Sequence, residues 1–142
     1  MLTINSLEKM KPYYNENTKT YEFLDNGKLI NVFFTFSIDI KSNITAMDIT
    51  SENIKALDID ARNINSWDIN AWDIKAGDIN SRDINSRDIK AGDIFFYAIC
   101  SAKRTLKCKT IKGKQKNSKC FCLDNEVEFI KANNTSLKEL NL

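Results

Sequence analysis

Isoleucine recurs at positions 44, 49, 54, 59, 64, 69, 74, 79, 84, 89, 94 and 99, an unbroken spacing of five. An α-helix returns to one face about every 3.6 residues and a strand about every 2, so neither produces this period. A period held over so long a stretch predicts a solenoid, in which each short unit buries its apolar side against the next turn. The unit reads small, variable, acid or amide, Ile, polar: Ala71-Trp72-Asp73-Ile74-Lys75 is followed by Ala76-Gly77-Asp78-Ile79-Asn80 and Ser81-Arg82-Asp83-Ile84-Asn85. Each Ile is expected to point inward and stack on an Ile of the next coil, about 4.8 Å away. Strand alternation puts the Ala or Ser two residues later on the same inner side, and the residue between them outside. The variable residue and the Asp or Asn then make a corner, where a short polar side chain can hold nearby backbone N–H groups. Gly77 and Gly92 stand at the first corner position, where their conformational freedom is expected to be used.

Over residues 43–99 this pattern resembles the pentapeptide-repeat proteins, four-sided β-helices with four pentamers per coil. The shared feature is the Asp or Asn before the central apolar residue, at Asp48, Asn53, Asp58, Asn63, Asp68, Asp73, Asp78, Asp83, Asp88 and Asp93. The chain departs from the family in its small residue, which follows Ile by two instead of preceding it. The resemblance implies twenty residues per coil. Stacking of the variable residues points instead to fifteen, which brings Trp67 to Arg82, Trp72 to Arg87 and Gly77 to Gly92. The expected fold is thus all-β, a short solenoid with four sides favoured by the resemblance and three sides as the alternative.

A solenoid needs caps, because its end coils expose unpaired backbone and apolar columns. Residues 1–42 are expected to form an N-terminal cap: a short helix within 6–14, interrupted by Pro12, then a hairpin. Its arms would be Thr20–Leu24 and Leu29–Phe34, joined by Asp25-Asn26-Gly27-Lys28. Phe34, Phe36, Ile38 and Ile40 alternate with polar residues and predict a half-buried strand leading into the repeat. Phe95-Phe96-Tyr97 is expected to close the last regular coil. Residues 100–142 are expected to continue as irregular coils and a tail within the same compact domain, with a short helix or frayed end at Ser136–Leu140.

Charge separates these segments more than the total of +2 suggests. The repeat is mildly acidic, whereas 100–123 holds no acid and eight bases: Lys103, Arg104, Lys107, Lys109, Lys112, Lys114, Lys116 and Lys119. This block is a candidate surface for nucleic acid or an acidic protein, with Lys112–Lys119 expected as an exposed loop. Trp67, Trp72, Arg82 and Arg87 fall at outward corner positions and have the composition of a protein-binding hot spot.

Catalytic chemistry finds little support. The chain has no histidine, which removes the commonest general base and metal ligand. The repeated acids have a sufficient role in the corners, and the Gly-rich nonapeptides of calcium β-rolls are absent. Cys100, Cys108, Cys120 and Cys122 lack the paired C-x2–4-C spacing of structural zinc sites, so reduced, mostly inward thiols are expected, with no metal or other cofactor. No apolar run is long enough to span a membrane, and the N-terminus has no secretory pattern, so a cytoplasmic location is expected.

The expected function is therefore non-enzymatic binding of a macromolecule. Pentapeptide-repeat proteins include inhibitors of nucleic-acid enzymes that imitate DNA, so the resemblance implies an inhibitor or anti-defence role by protein–protein contact. Ile, Asn and Lys make up 52 of 142 residues, a bias that suits an AT-rich bacterial or phage genome. Direct nucleic-acid binding through 103–119 is the alternative, as is a structural solenoid that dimerises through one end.

Overall fold

The computed structural model describes residues 2–130, and the expected element at Ser136–Leu140 lies outside them. Parallel coils stack into a β-solenoid of about six turns. The chain enters through β1 (Leu2–Ile4), α1 (Leu7–Met10) and a 3-10 turn (Lys11–Tyr13) that carries Pro12. It continues through β2 (Tyr14–Asn15), β3 (Thr20–Glu22), β4 (Leu24–Asp25), β5 (Lys28–Leu29), β6 (Val32–Phe34) and β7 (Ile38–Asp39). The repeat is a single strand-like ribbon, β8 (Asn43–Lys90), that bends at every corner without leaving extended geometry. It passes to β9 (Asp93–Cys108), β10 (Thr110–Gly113), β11 (Lys119–Cys122) and β12 (Glu128–Phe129).

The coil in the repeat is fifteen residues long and three-sided, which corrects the four-sided form implied by the family resemblance. Asp78 and Ile79 pair with Asp93 and Ile94. The Asp58 N–H donates to Asn43 Oδ1 at 3.2 Å, and Asn63 Nδ2 donates to Asp48 Oδ1 at 3.0 Å. The Gly92 N–H donates to the Gly77 carbonyl oxygen. Each of these contacts joins residues fifteen apart.

Three inward columns follow. The first face stacks Tyr21, Ile44, Ile59, Ile74, Ile89 and Leu106; the second stacks Val32, Ile49, Ile64, Ile79, Ile94 and Ile111; the third stacks Ile38, Ile54, Ile69, Ile84, Cys100 and Cys120. The repeat isoleucines from 44 to 94 are buried, and so is the residue two positions after each, Ala or Ser up to Ala91 and then Phe96, as alternation requires. Small residues suit the second inward site because three faces converge on a narrow interior. Each fully buried Ile contributes roughly 1.5–3 kcal/mol of apolar transfer free energy.

Three interior serines satisfy their hydroxyls on corner backbone. Ser66, Ser81 and Ser86 donate to the carbonyl oxygens of Glu52, Trp67 and Trp72, fourteen residues earlier, at 2.6, 2.9 and 2.8 Å. Each therefore binds one coil to the corner of its neighbour and satisfies its own buried hydroxyl.

The ends depart from this regularity. The expected hairpin shrinks to its tip, β4 with β5, where Asn26 (φ 52°) and Gly27 (φ 75°) supply the left-handed pair of a tight two-residue turn. Its supposed arms belong to different faces: β3 stacks in parallel on Asn43–Thr45 and β6 on Ile49–Thr50. Residues 20–40 thus form an additional coil, with the hairpin projecting from one corner. Phe23 and Phe34 occupy the second inward site there, 5.4 Å apart, and Tyr13 covers Phe23 at 5.1 Å.

At the other end the repeat runs through Phe96, which is buried in the serine column. One extra residue at the next corner then shifts the register, so Ile99 pairs with Asp83 and Cys100 takes the inward place over Ile84. Ile99, the last isoleucine of the strict period, is 45% exposed and does not belong to the core. Among the described residues no helix is long and apolar enough to cross a membrane.

Candidate interaction surface

Fifteen-residue stacking makes corner residues neighbours in a fixed way. A side chain at the variable position lies over the variable position of the previous coil and close to the acid that follows it. Arg62 reaches Asp48 at 3.6 Å, Arg82 reaches Asp68 at 3.1 Å and Arg87 reaches Asp73 at 3.3 Å, each pair fourteen apart. Other corner carboxylates receive backbone or hydroxyl donors, Asp88 in addition to its arginine contacts. Asp78 and Asp83 accept from the N–H groups of Asp93 and Ile99, while Asp88 and Asp93 accept from the hydroxyls of Thr105 and Thr110. The repeated acids therefore tie each corner to the coil that follows, instead of holding backbone N–H groups within their own turn as expected.

Trp67 and Trp72 begin and end one strand on the third face, about 16 Å apart at strand rise. They are 60% and 57% exposed, the two largest side chains so placed in the repeat. The Arg82 guanidinium lies 5.4 Å from the Trp67 ring centroid, and that of Arg87 lies 4.9 Å from Trp72. Each edge of the third face thus carries the same four-part arrangement. Trp67 is stacked by Arg82, Arg82 is held by Asp68, and the Trp67 carbonyl is bound by Ser81. Trp72, Arg87, Asp73 and Ser86 repeat it five residues on. The structure brings all four expected partner-binding residues to one face. Beside Trp67 an open groove of about 390 Å³ runs between the stack of Trp67, Arg82, Tyr97 and Lys114 and the outward amides of Asn65 and Asn80.

The basic segment is not gathered into one patch. It winds once around the solenoid, so its charges are shared among faces and corners. Lys103 and Arg104 lie where the third face turns into the first, Lys107 on the first face, and Lys109 at the following corner. Lys112 lies on the second face, Lys114 and Lys116 in an exposed loop beyond Gly113, and Lys119 at the start of β11. Arg104 approaches Asp88 at 3.8 Å, and Lys107 approaches Glu128 at 3.7 Å.

What the folded first face adds is a column of outward lysines, Lys75, Lys90 and Lys107, which directly follow the inward residues Ile74, Ile89 and Leu106. Lys75 and Lys90 were not among the residues singled out by charge runs. Reading the position after Ile at intervals of fifteen finds both. Burial lowers the Lys90 ammonium below its ordinary value, with the neighbouring charges of Lys75 and Lys107 acting in the same direction.

The four cysteines are free, with Cys100 and Cys108 buried and Cys120 and Cys122 half-buried. Cys120 stacks in register on Cys100, and Cys122 on Ala102. The side-chain interaction between Cys100 and Cys120 raises the first group and lowers the second; burial further raises Cys100. Burial pushes Cys108 up to about 12. Among the described residues no group of three His, Cys, Asp or Glu side chains is placed to hold a metal ion.

No family model, curated protein or solved structure matches this chain.

Proposed function

We propose that this protein is a rigid, non-enzymatic scaffold that captures a macromolecular partner, a protein, on its third face. One observation carries the reading: the duplicated Trp–Arg–Asp–Ser arrangement at the two edges of that face. Exposed tryptophan is costly to leave in water, and its enrichment in binding hot spots reflects large apolar area held rigidly. Here both rings are fixed by arginine stacking and by serine-bound corners, so little side-chain freedom is lost on binding. The Asn70 and Asn85 amides between the edges offer hydrogen-bonding groups in the middle of that face.

Inhibition of a nucleic-acid or defence enzyme remains a specific form of this proposal. Its duplex-mimic version draws less support, since arginines neutralise several corner carboxylates that would imitate phosphates. Kinship with pentapeptide-repeat proteins likewise rests on the Asp-Ile pattern and is weakened by the three-sided coil. A second reading, direct binding of nucleic acid, is favoured by the Lys75–Lys90–Lys107 column, which offers regularly spaced cations to a phosphate backbone.

Affinity capture with and without nuclease distinguishes the readings when Trp67→Ala/Trp72→Ala and Lys75→Gln/Lys90→Gln proteins are run beside the original. Protein binding predicts one stoichiometric partner that survives nuclease, is lost with the tryptophans and is retained without the lysines. Nuclease-sensitive recovery that depends on the lysines supports the second reading and overturns the first.

A further inference from the structure

We propose that Cys100 and Cys120 form a redox pair that closes into a disulfide with a low-molecular-weight disulfide, such as oxidised glutathione, as oxidant, and thereby clamps the basic coil between them. Three observations converge on this pair. The two residues are direct, in-register neighbours on adjacent parallel strands. Neighbouring strands lie about 4.8 Å apart, within the Cα separations of about 4.4–6.8 Å that disulfides span. Both residues continue the inward column of the third face, so their side chains leave the backbone on the same side of the sheet.

The pair is also chemically asymmetric. Cys120 is half-buried at the last described layer of its face, and its interaction with the buried Cys100 side chain lowers it, which favours its thiolate. The Cys120 thiolate attacks one sulfur of glutathione disulfide, forming a mixed disulfide and releasing one glutathione thiolate. Cys100 then attacks the Cys120 sulfur and expels the second glutathione; its proton passes to the leaving thiolate. Two protein thiols are oxidised and one glutathione disulfide is reduced to two glutathione molecules.

The other cysteines fit this division. Cys108 lies in the column of a different face and is buried. Cys122 donates its S–H to the Arg104 carbonyl at 3.2 Å. All eight basic residues of the segment 103–119 lie between Cys100 and Cys120. A disulfide there would close the entire basic coil into a covalent ring around the solenoid, including the exposed loop beyond Gly113.

The test treats the reduced, full-length protein with oxidised glutathione under native conditions and reads intact mass, a peptide map and a tryptic digest. The expected results are a loss of two hydrogens and a single cross-linked peptide pair joining Cys100 to Cys120. Trypsin cuts in the Lys112–Lys119 segment should leave fragments joined until reductant is added. Cys100→Ser should instead retain glutathione on Cys120. A cross-link through Cys108 or Cys122, or no cross-link in the native protein when the unfolded chain forms one, overturns the proposal. The map of the unsubstituted chain decides the matter even if the serine variant fails to fold.

Discussion

From Asn43 to Phe96 successive coils are offset by fifteen residues, whereas beyond that stretch the offset changes from corner to corner. Val32 pairs with Ile49, Ile38 with Ile54, Ile84 with Cys100, Ile89 with Leu106, and Cys100 with Cys120. The constant offset keeps the interior narrow and uniform, so Ile with Ala or Ser fills it at every level below Phe96. Where the offset varies, extra residues leave at corners as a hairpin or loop, and Phe23, Phe34, Phe96 and Cys108 occupy the site held by Ala or Ser elsewhere. The middle teaches that regular stacking creates surface columns; the ends show how a solenoid stops without leaving its apolar columns open.

The largest effect should come from the middle core. Ile74→Ala removes buried branched carbons from a column that cannot collapse without moving neighbouring coils, and should cost about 2–5 kcal/mol. The half-buried Ile111→Ala at the C-terminal end should cost clearly less, and chemical denaturation of both variants measures the contrast. Equal losses would remove the distinction between body and ends.

Gly92→Ala comes next. A Cβ at Gly92 would stand 2.6 Å from the Gly77 carbonyl oxygen, and one at Gly77 would stand 2.6 Å from that of Arg62. Backbone must shift to admit it, with a penalty of about 1–3 kcal/mol in the same denaturation assay. The clash arises because a fifteen-residue coil brings the backbone at this corner against the carbonyl oxygen of the coil before, Gly77 over Arg62 as well as Gly92 over Gly77.

Ser81→Ala should cost about 1 kcal/mol, since it leaves the Trp67 carbonyl without its serine donor. The loss should be accompanied by a change in tryptophan fluorescence, because the same corner carries the ring. A Ser101→Ala change near the irregular end should have less effect on both readings, its hydroxyl contacts being 3.5 Å long.

Much of the body was legible in the amino-acid pattern. The inward Ile, the inward Ala or Ser and the corner Asp all follow from one period and from strand alternation. Coil length was harder, because nearly identical pentamers stack acceptably at either fifteen or twenty. The Trp–Arg and Gly–Gly neighbours carried the correct signal, while family resemblance pulled toward four sides. Ile99 misled for a related reason: it kept the period after an inserted corner residue had already given the inward place to Cys100. The Thr20–Phe34 segment showed a true turn at Asn26-Gly27, but local pattern could not reveal that its arms lie on different faces. For the candidate surface, Trp67, Trp72, Arg82 and Arg87 could be named from sequence, whereas Lys75 and Lys90 emerge as a column only once the coil length is known.

The smallest effect separates charge from shape within the corners. Burial raises the Asp58 carboxyl above its ordinary value, and the nearby Asp73 charge adds to this while Arg87 opposes it. A raised acid favours the fold when protonated, and that contribution is lost as pH rises from the ordinary Asp value through the raised one. Asp58→Asn should therefore increase the melting temperature slightly at pH 7, with the gain shrinking as pH falls through that window. A lower melting temperature at pH 7 would mean that the carboxylate is needed for more than its place in the turn.

The fifteen-residue coil is tested most directly by double-mutant cycles on folding stability for Trp67 with Arg82 and for Trp67 with Arg87. The first pair is fifteen apart and in contact; the second is the pair a twenty-residue coil would stack. The expected result is a coupling of about 0.5–1 kcal/mol for Trp67 with Arg82 and near zero for Trp67 with Arg87. Coupling that appears in the second pair and vanishes in the first would contradict the three-sided solenoid and the interaction surface built on it.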